Sequence, residues 1–411
     1  MHILIFLDQN PDSLGGAQAS VLLQQKYLQL AGHTVTVVGP TNRKSPVAGS
    51  AKPGQILYPS FPLTPDGEYT ATAALNRTYR FVLQELAALP PVDVVHSQAD
   101  WWGAILANGF AKRQNLPLVQ TLHTNLVTGS AAAVGTLGAG ILTWVNGEVF
   151  GRWVNHKAFQ GGIDGWRYLH NITRHAQIVI APTRHFAMLA ESYGVAKDIR
   201  VVPTGVDDGN LEGIFKLERK PGGEGVTFAW SGRFSHEKRM MEFLAALALA
   251  KVSAKVRIFG GGPLLKKAKA FIAANGLQDS VELVGRVSHD QMLRELRAAH
   301  ALVQTSIGFE TQGMTVYEAG VVGTPAILCD PNIAGELPNN SYWLVPLHAN
   351  SKPRESKQLQ IEALAETIKT AHAEIIDGKS KSIDLRQELY QSNLVAKSVG
   401  IYREAIAAFK K

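Results

Sequence analysis

Short runs of apolar residues alternate with longer amphipathic segments along the whole chain. The runs include "HILIFLD", "TVTVVGP" and "AQIVIAPT" in the first half, and "GVTFAWSGR", "KVRIFGGG" and "TPAILCD" in the second half. Continuous apolar runs are typical of strands that are buried on both faces of a parallel sheet. Between them, segments such as "MMEFLAALALAKV" have the pattern of amphipathic helices. This alternation predicts an α/β fold with doubly wound parallel sheets.

The strand–helix pattern occurs twice, and 411 residues are more than one ordinary hydrophobic core accommodates. We therefore predict two Rossmann-like domains, at residues 1–205 and 206–394, joined near "VVPTGVDDGN". The last amphipathic helix, residues 395–411, is expected to dock back on the first domain. Because ligands of doubly wound sheets bind at the carboxyl ends of strands, we expect the functional residues there, in a cleft between the domains.

The composition narrows the class of protein. Hydrophobic residues make up 45% of the chain and charged residues 18%, which indicates a globular protein and not a disordered one. The single cysteine, Cys329, excludes a disulfide framework and a cysteine zinc site, and it fits a reducing compartment. The segment "MHILIFLDQNPD" has no basic region or cleavage site, so we expect no signal peptide. No apolar run reaches the roughly 18 residues that suggest a membrane span.

The net charge of +7 favours an anionic partner, such as nucleic acid, an anionic membrane surface or a phosphorylated ligand. The sequence contains no helix-turn-helix, zinc-finger or RNP-like pattern, so a nucleic-acid partner is not expected. The basic balance therefore points to lipid headgroups or to phosphorylated small molecules.

Basic residues and glycines follow several predicted strands. Arg233 and Lys238 lie on either side of a strand end in "SGRFSHEKR" and could clamp a diphosphate or belong to a solvated surface. The Gly15-Gly16 pair and "FGGGP" could admit a phosphate close to the backbone or serve only as tight turns. His123 ends a strand in "TLHTN", where a structural or a functional histidine is possible.

Two glutamates, Glu310 and Glu318, flank a Gly-Met turn in "GFETQGMTVYEAG". A carboxylate pair of the glycosidase kind is possible in principle. Thr315 to Glu318 also has the pattern of a helix capping box, and Glu310 could simply favour the positive end of the helix. A metal site is disfavoured because no histidine or aspartate shares the spacing. The local pattern alone leaves the purpose of the pair open.

The order of the motifs resembles a known enzyme family. "SGRFSHEKR", "FGGGP", "VELVGRVSHDQ" and the Glu-x7-Glu spacing before "AGVVGTPAI" are similar to those of the retaining glycosyltransferases of family 4, which have the GT-B fold. "GGAQ", "VDVVHSQ" and "TLHTN" also fall where that family places them. The resemblance covers nearly the whole chain and implies two Rossmann-like domains that face each other across a cleft.

The resemblance also implies roles for individual residues. Arg233 and Lys238 would bind the donor diphosphate and neutralise the charge that grows on the leaving nucleotide. Glu310 would hold hydroxyls of the donor sugar, and Glu318 would hold the ribose hydroxyls. His123 would lie beside the transferred sugar. No metal ion is expected, because the basic residues replace it.

The remaining donor contacts implied by the resemblance come from glycines and from one turn. Arg286 would lie in the loop that contacts the base. The residues expected to contact sugar and phosphate are Gly15, Gly16, Gly232, Gly261, Thr311, Gln312, Gly313, Met314 and Thr315.

The acceptor is suggested by two further features. The "ETQGM" segment resembles that of bacterial diacylglycerol glucosyltransferases and related glycolipid enzymes. Residues 130–159 combine an apolar Gly-Ala-rich stretch with aromatic and basic residues, a composition suited to a membrane interface. The residues proposed for membrane or acceptor contact are Trp144, Phe150, Arg152, Trp153 and Lys157. The same segment could instead line the acceptor cleft.

These patterns lead to one functional hypothesis. The chain is expected to be a cytoplasmic, retaining, metal-independent glycosyltransferase, peripherally bound to the inner face of the cell membrane. It would move glucose from UDP-glucose, as its nucleotide-sugar donor, to diacylglycerol or a simple glycolipid and form an α-linkage. The alternatives are a GDP-mannose-dependent mannosyltransferase, a UDP-sugar 2-epimerase of the same fold and a non-catalytic sugar-binding module.

Overall fold

The computed structural model describes residues 1–13, 16–42, 47–62, 70–72, 75–126, 144, 165–347 and 353–410. The chain divides into two compact units. The first unit consists of Met1–Gly205 together with Tyr390–Lys411, and the second unit consists of Val206–Leu389. The chain therefore leaves the first unit once and returns to it at its end.

The described part of the first unit is built on an eight-stranded sheet with the order β10-β9-β8-β7-β1-β2-β4-β3. Its strands are parallel except for β3, which pairs antiparallel with β4. Two further short strands, β5 and β6, form a separate pair. The strands are β1 (His2–Phe6), β2 (Thr34–Pro40), β3 (Gly49–Lys52), β4 (Gln55–Tyr58), β5 (Phe61–Pro62), β6 (Thr70–Ala71), β7 (Val94–Ser97), β8 (Leu118–Thr121), β9 (Ile178–Ala181) and β10 (Arg200–Val201).

Helices cover both faces of this sheet. They are α1 (Gly16–Leu30), α2 (Leu75–Leu86), α3 (Trp102–Gln114), α4 (Gly165–Thr173), α5 (Arg184–Ser192) and, from the end of the chain, α14 (Gln391–Phe409). Along β1, Ile3 and Ile5 belong to one buried cluster and Leu4 and Phe6 to another. Because successive side chains of a strand point to opposite faces, the continuous apolar run is explained by burial on both sides.

The last helix contributes to one of these two clusters. Val399, Ile401 and Tyr402 of α14 are buried with Ile3 and Ile5 of the central strand. The helix begins at Gln391, so the domain limit predicted at 394 falls inside it. Its buried side chains explain why the end of the chain packs with the first unit.

The described part of the second unit is built on a six-stranded parallel sheet with the order β13-β12-β11-β14-β15-β16. The strands are β11 (Val226–Arg233), β12 (Ala254–Gly261), β13 (Val281–Gly285), β14 (Ala301–Gln304), β15 (Ala326–Leu328) and β16 (Tyr342–Leu344). The helices are α6 (Glu212–Phe215), α7 (Met240–Ala250), α8 (Leu265–Ala274), α9 (His289–Ala298), α10 (Met314–Val321), α11 (Pro331–Ala334), α12 (Pro353–Ile376) and α13 (Arg386–Leu389). The mostly parallel sheet of the first unit and the parallel sheet of the second unit confirm the predicted α/β class with two Rossmann-like domains.

None of the helices in the described part of the chain combines the length and the apolar character needed to cross a membrane.

Two strands of the second unit approach each other closely at a glycine. Gly260 of β12 has φ +121° and lies opposite Gly232 of β11. A Cβ atom at Gly260 would lie only 1.9 Å from the carbonyl oxygen of Gly232. The next residues tie the strand ends together, because the N–H of Phe234 donates to the carbonyl of Gly261 over 2.9 Å. Glycine at 260 is therefore a requirement of this strand pairing.

Replacing Gly260 with alanine is expected to destabilise the second unit. The new Cβ atom would collide with backbone and would force an unfavourable φ, at a combined cost of roughly 2–5 kcal/mol. Thermal unfolding of the purified variant measures the loss. Gly223→Ala is the matched control, because its Cβ atom would meet nothing within 4 Å. Equal melting temperatures for the two variants would contradict the steric explanation.

Candidate active site

The carboxyl ends of the parallel strands bring distant loops together in the second unit. β11 lies between β12 and β14, so the residues after Arg233 neighbour those after Gly261 and Gln304. The loop that contains Lys238 therefore lies beside the loop that contains Glu310. Sheet order, which the local sequence pattern does not reveal, creates this neighbourhood.

Lys238 and Glu310 form an ion pair. The Lys238 Nζ lies 2.5 Å from Glu310 Oε1, and the two side chains are only 24% and 14% exposed. The hydroxyl of Ser306 donates to the same carboxylate oxygen over 2.8 Å. The Lys238 ammonium also lies 5.3 Å from the centre of the Phe309 ring. Two residues that the sequence analysis selected separately are thus held in one small cluster.

The backbone of Lys238 is held by a buried relay of hydrogen bonds. The Trp230 indole N–H donates to Thr305 Oγ1 over 2.9 Å, and the Thr305 hydroxyl donates to the carbonyl of Lys238 over 2.6 Å. Trp230 and Thr305 are both buried. The sequence analysis missed both residues, although a tryptophan inside an apolar strand needs a partner for its indole N–H. The relay fixes where the lysine side chain begins.

Two arginines lie at the same edge of the sheet. Arg233 ends β11 and is exposed. Arg286 follows Gly285, whose φ is +90°, and is also exposed. The Arg286 Nε lies 3.7 Å from the position that a Cβ on Gly261 would take. The structure thus places Arg286 next to Gly261, one of the predicted donor-binding glycines, although the ligand of this pair stays a prediction.

Glu318 is buried in α10 and pairs with His289. His289 Nε2 lies 3.0 Å from Glu318 Oε1. The hydrogen bond to Glu318 raises the pKa of His289, and the charges of Glu318, Asp207 and Asp290 add to the rise. The sequence analysis missed His289, although it lies in "GRVSHDQ" just after the end of β13. Each glutamate of the Glu-x7-Glu motif therefore has its own basic partner.

The capping-box alternative for Thr315 and Glu318 is wrong. Helix α10 begins at Met314, and its N-cap is Gly313, which has φ +76° and no side-chain cap. Glu318 consequently lies within the helix, where its carboxylate reaches His289 and not the helix start. Glycine adopts this left-handed conformation more readily than other residues, and Gly313 stands at the helix start in place of the capping side chain that the pattern suggested.

The turn before α10 supplies backbone donors. The first N–H groups of a helix have no acceptor within that helix, so they favour an anion. Thr311, Gly313, Met314 and Thr315 are partly exposed there, whereas Gln312 is buried. Asp330 supports the preceding loop, because its carboxylate accepts from the N–H of Gly308 over 2.7 Å. The predicted donor-binding turn thus leads into a helix start that has no side-chain cap, and its ligand stays a prediction.

His123 and Gly16 belong to the first unit. His123 follows β8, and its Nε2 lies 2.9 Å from Gln98 Oε1. Loss of hydration lowers the pKa of His123 to about 4, so the imidazole is neutral near pH 7. Gly16 is the exposed first residue of α1, and Gly15 lies outside the described residues.

Two aspartates, partly buried Asp8 and buried Asp100, support the backbone around His123. Asp8 follows β1 and accepts from the backbone N–H groups of Asp100 and Gly103 over 2.6 and 2.8 Å. Asp100 in turn accepts from the N–H groups of His123 and Thr124. Burial raises the pKa of Asp8 to about 6 and that of Asp100 to about 7. The sequence analysis missed both, although each follows the end of a predicted strand.

The membrane prediction rests mostly on residues outside the described part of the chain. Trp144 is half-exposed. Phe150, Arg152, Trp153 and Lys157 lie outside the described residues. Among the residues that the structure does describe, no group of three or more His, Cys, Asp or Glu side chains is arranged to hold a metal ion.

Comparison with known proteins settles the family. Residues 14–210 match the family model "Glycosyltransferase Family 4", and residues 215–370 match the model "Glycosyl transferases group 1". The chain belongs to glycosyltransferase family 4. The family resemblance inferred from the sequence motifs is thereby confirmed, and the chain is a glycosyltransferase.

This glycosyltransferase is also similar to a curated relative and to solved structures. It is 25% identical, over 80% of its own length and 70% of the relative's, to alpha-monoglucosyldiacylglycerol synthase from Streptococcus pneumoniae. Its fold matches sucrose-phosphate synthase from Thermosynechococcus elongatus at 18% identity and a TM-score of 0.69, covering 99% of both chains. It also matches HepE from Anabaena in complex with UDP and glucose, at 15% identity and a TM-score of 0.63, covering 98% of both chains. The fold is GT-B, as the resemblance implied.

Replacing Glu318 with glutamine is expected to lower the pKa of His289. The raised pKa means that the pair stabilises the fold below the ordinary histidine pKa and that this contribution is lost as pH rises through the raised value. Glu318→Gln should therefore cost more stability at pH 5.5 than at pH 8.5. An NMR titration of the histidine rings measures the pKa, with His289→Gln used to assign the signal.

An unchanged His289 curve in Glu318→Gln would show that the contact with Glu318 does not set its pKa.

Proposed function

We propose that this glycosyltransferase transfers glucose from UDP-glucose to diacylglycerol or a simple glycolipid, with retention and formation of an α-linkage. The observation that carries the proposal is the Lys238–Glu310 ion pair at the carboxyl edge of the second sheet, where exposed Arg233 ends β11. It offers cations for a diphosphate and a carboxylate for sugar hydroxyls at one place. The similarity to alpha-monoglucosyldiacylglycerol synthase supports the choice of sugar and acceptor.

On the donor side, Lys238 and Arg233 would bind the diphosphate. Negative charge grows on the leaving nucleotide as the glycosidic bond breaks, so cations held in place stabilise the transition state more than the ground state. Glu310 holds the lysine before the donor arrives and would then accept hydrogen bonds from sugar hydroxyls. Because two basic groups meet the diphosphate, we propose that no metal ion takes part.

The nucleoside would be held farther along the same edge. Glu318 would accept from the ribose hydroxyls while His289 keeps its carboxylate in place. Arg286 would contact the base. The uncapped start of α10, with Gly313 and Met314, would donate N–H groups to phosphate and sugar. HepE was solved in complex with UDP and glucose, which is consistent with this choice of donor.

On the acceptor side, neutral His123 would accept a hydrogen bond from a hydroxyl of the transferred sugar without adding a charge. We propose that the acceptor hydroxyl oxygen bonds to the anomeric carbon on the face from which the diphosphate leaves, while the bond from that carbon to the diphosphate oxygen breaks. The hydroxyl proton would pass to the departing diphosphate, so the step needs no covalent nucleophile from the protein. Residues 130–159 would bring the enzyme to an anionic lipid surface on the inner face of the cell membrane.

A donor-by-acceptor assay tests this function. Purified protein is given UDP-glucose, UDP-galactose or GDP-mannose, each with and without anionic vesicles that contain diacylglycerol. We expect release of UDP from UDP-glucose that depends on the vesicles, together with an α-linked glucolipid product. Turnover of GDP-mannose and of neither UDP-sugar would show that the donor is GDP-mannose and the transferred sugar mannose. Turnover that does not depend on the vesicles would refute the lipid acceptor.

Replacing Lys238 with alanine is expected to lower kcat about 10²–10³-fold, the usual effect of losing one group that stabilises developing charge. Steady-state kinetics with the preferred donor measure the change. Lys255→Ala is the matched control, because Lys255 is an exposed lysine on β12. Near-normal turnover of Lys238→Ala would remove the lysine from the mechanism.

A double variant separates chemistry from folding. Lys238→Ala leaves the carboxylate of Glu310 largely buried without its cation, which is destabilising by itself. Adding Glu310→Gln removes that charge, so the double variant should regain thermal stability. If it also regained turnover, the effect of Lys238→Ala would be structural and not catalytic.

A further inference from the structure

A group of buried polar side chains connects His123 to the last helix of the chain. It consists of Gln98, Gln24, Tyr402, Ser398, His96 and Thr121, and every member is buried in the first unit. Buried polar groups of this kind cost free energy unless each is hydrogen-bonded. Their partners therefore show how the group is organised.

The first link sets the tautomer of His123. Its Nε2 lies 2.9 Å from Gln98 Oε1, and an amide oxygen can only accept. His123 therefore donates through Nε2–H, which places the lone pair of the neutral ring on Nδ1. The Gln98 amide is itself oriented, because its Nε2 donates to Gln24 Oε1.

The second link reaches helix α14. Gln24 Nε2 donates to Tyr402 Oη over 3.3 Å and to Ser398 Oγ over 3.4 Å. The Tyr402 hydroxyl lies 2.8 Å from His96 Nδ1, and His96 Nε2 lies 2.7 Å from Thr121 Oγ1. Burial lowers the pKa of His96 to about 3, so it remains neutral and can accept from the tyrosine. Each hydrogen bond from His123 to Thr121 can therefore pair one donor with one acceptor.

Several of these side chains also line a small cavity in the first unit. Gln24, His96, Gln98, Thr121, His123 and Tyr402 are among the residues that line a cavity of about 30 Å³. A space of that size admits on the order of one or two water molecules, which polar side chains can hydrogen-bond. The hydrogen bonds within the group show that these polar side chains are partners of one another and of His123.

We propose that Gln98 is a positioning residue that fixes the tautomer and ring orientation of His123, and that Gln24 and Tyr402 carry this constraint from helix α14. The catalytic value of this arrangement rests on the function proposed above. Helix α14 covers apolar surface, and its Tyr402 also hydrogen-bonds His96, which lies some 300 positions earlier in the sequence. The helix therefore takes part in the polar network as well as in the core.

The first test reads the ring of His123 directly. In protein labelled with ¹⁵N-histidine, the ring nitrogen shifts report the tautomer, and His123→Gln assigns the signal. We expect a single Nε2–H tautomer in the unmodified protein and a mixture in Gln98→Leu. An unchanged tautomer in Gln98→Leu would overturn the proposal. The reading needs no substrate, so it holds even if the proposed donor or acceptor is wrong.

The second test uses turnover and avoids a large change in packing. Tyr402→Phe removes one hydroxyl from the network, and Tyr58→Phe removes a hydroxyl from another buried tyrosine of the first unit. We expect kcat to fall several-fold in Tyr402→Phe and about 10-fold or more in Gln98→Leu, with KM for the nucleotide sugar changed less than about twofold. Equal kcat values for Tyr402→Phe and Tyr58→Phe would overturn the role of the last helix.

Discussion

The parallel pairing of strands is the constraint on which the candidate site depends. In each unit the parallel strands point the same way, so the loops that follow them gather at one edge of the sheet. This brings Lys238 to Glu310 across 72 positions of sequence and His123 to Gln98 across 25. No residue in either pair is a sequence neighbour of its partner. The contacts exist because β14 lies beside β11 and β8 lies beside β7.

Buried hydrogen bonds then turn this rough neighbourhood into a defined geometry. A buried donor without an acceptor costs about 1–3 kcal/mol, so the indole of Trp230 and the hydroxyl of Tyr402 restrict the conformations that their partners can adopt. Through Thr305, the indole determines where the Lys238 backbone lies. Through Gln24 and Gln98, the last helix reaches the ring of His123. The two hydrogen-bond relays belong to different units. Each of them positions a candidate catalytic residue, Lys238 in the second unit and His123 in the first.

Two aspartates near His123, Asp8 and Asp100, also hold the backbone in place, and they do so with carboxyl groups that can carry charge. The Asp8 carboxylate accepts hydrogen bonds from backbone N–H groups at the start of α3, where the helix dipole favours an anion. Asp100 connects this helix start to the backbone of His123. Burial opposes ionisation of both groups, which is why their pKa values lie above the ordinary range of aspartate. The support of His123 thus includes groups that titrate near neutral pH.

The sequence by itself determined the fold class, the two Rossmann-like domains and the family, because periodicity and ordered motifs are local properties of the chain. It also selected Lys238, Glu310, Glu318 and His123, since each follows or flanks a recognisable strand or helix. Only the tertiary structure decided which side chains meet. His289, Gln98, Thr305 and Tyr402 became visible through partners that lie far away in sequence, and the start of α10 at Gly313 overrode a plausible capping pattern. Strand order and buried hydrogen bonds set these contacts, and neither can be read from a local pattern of residues.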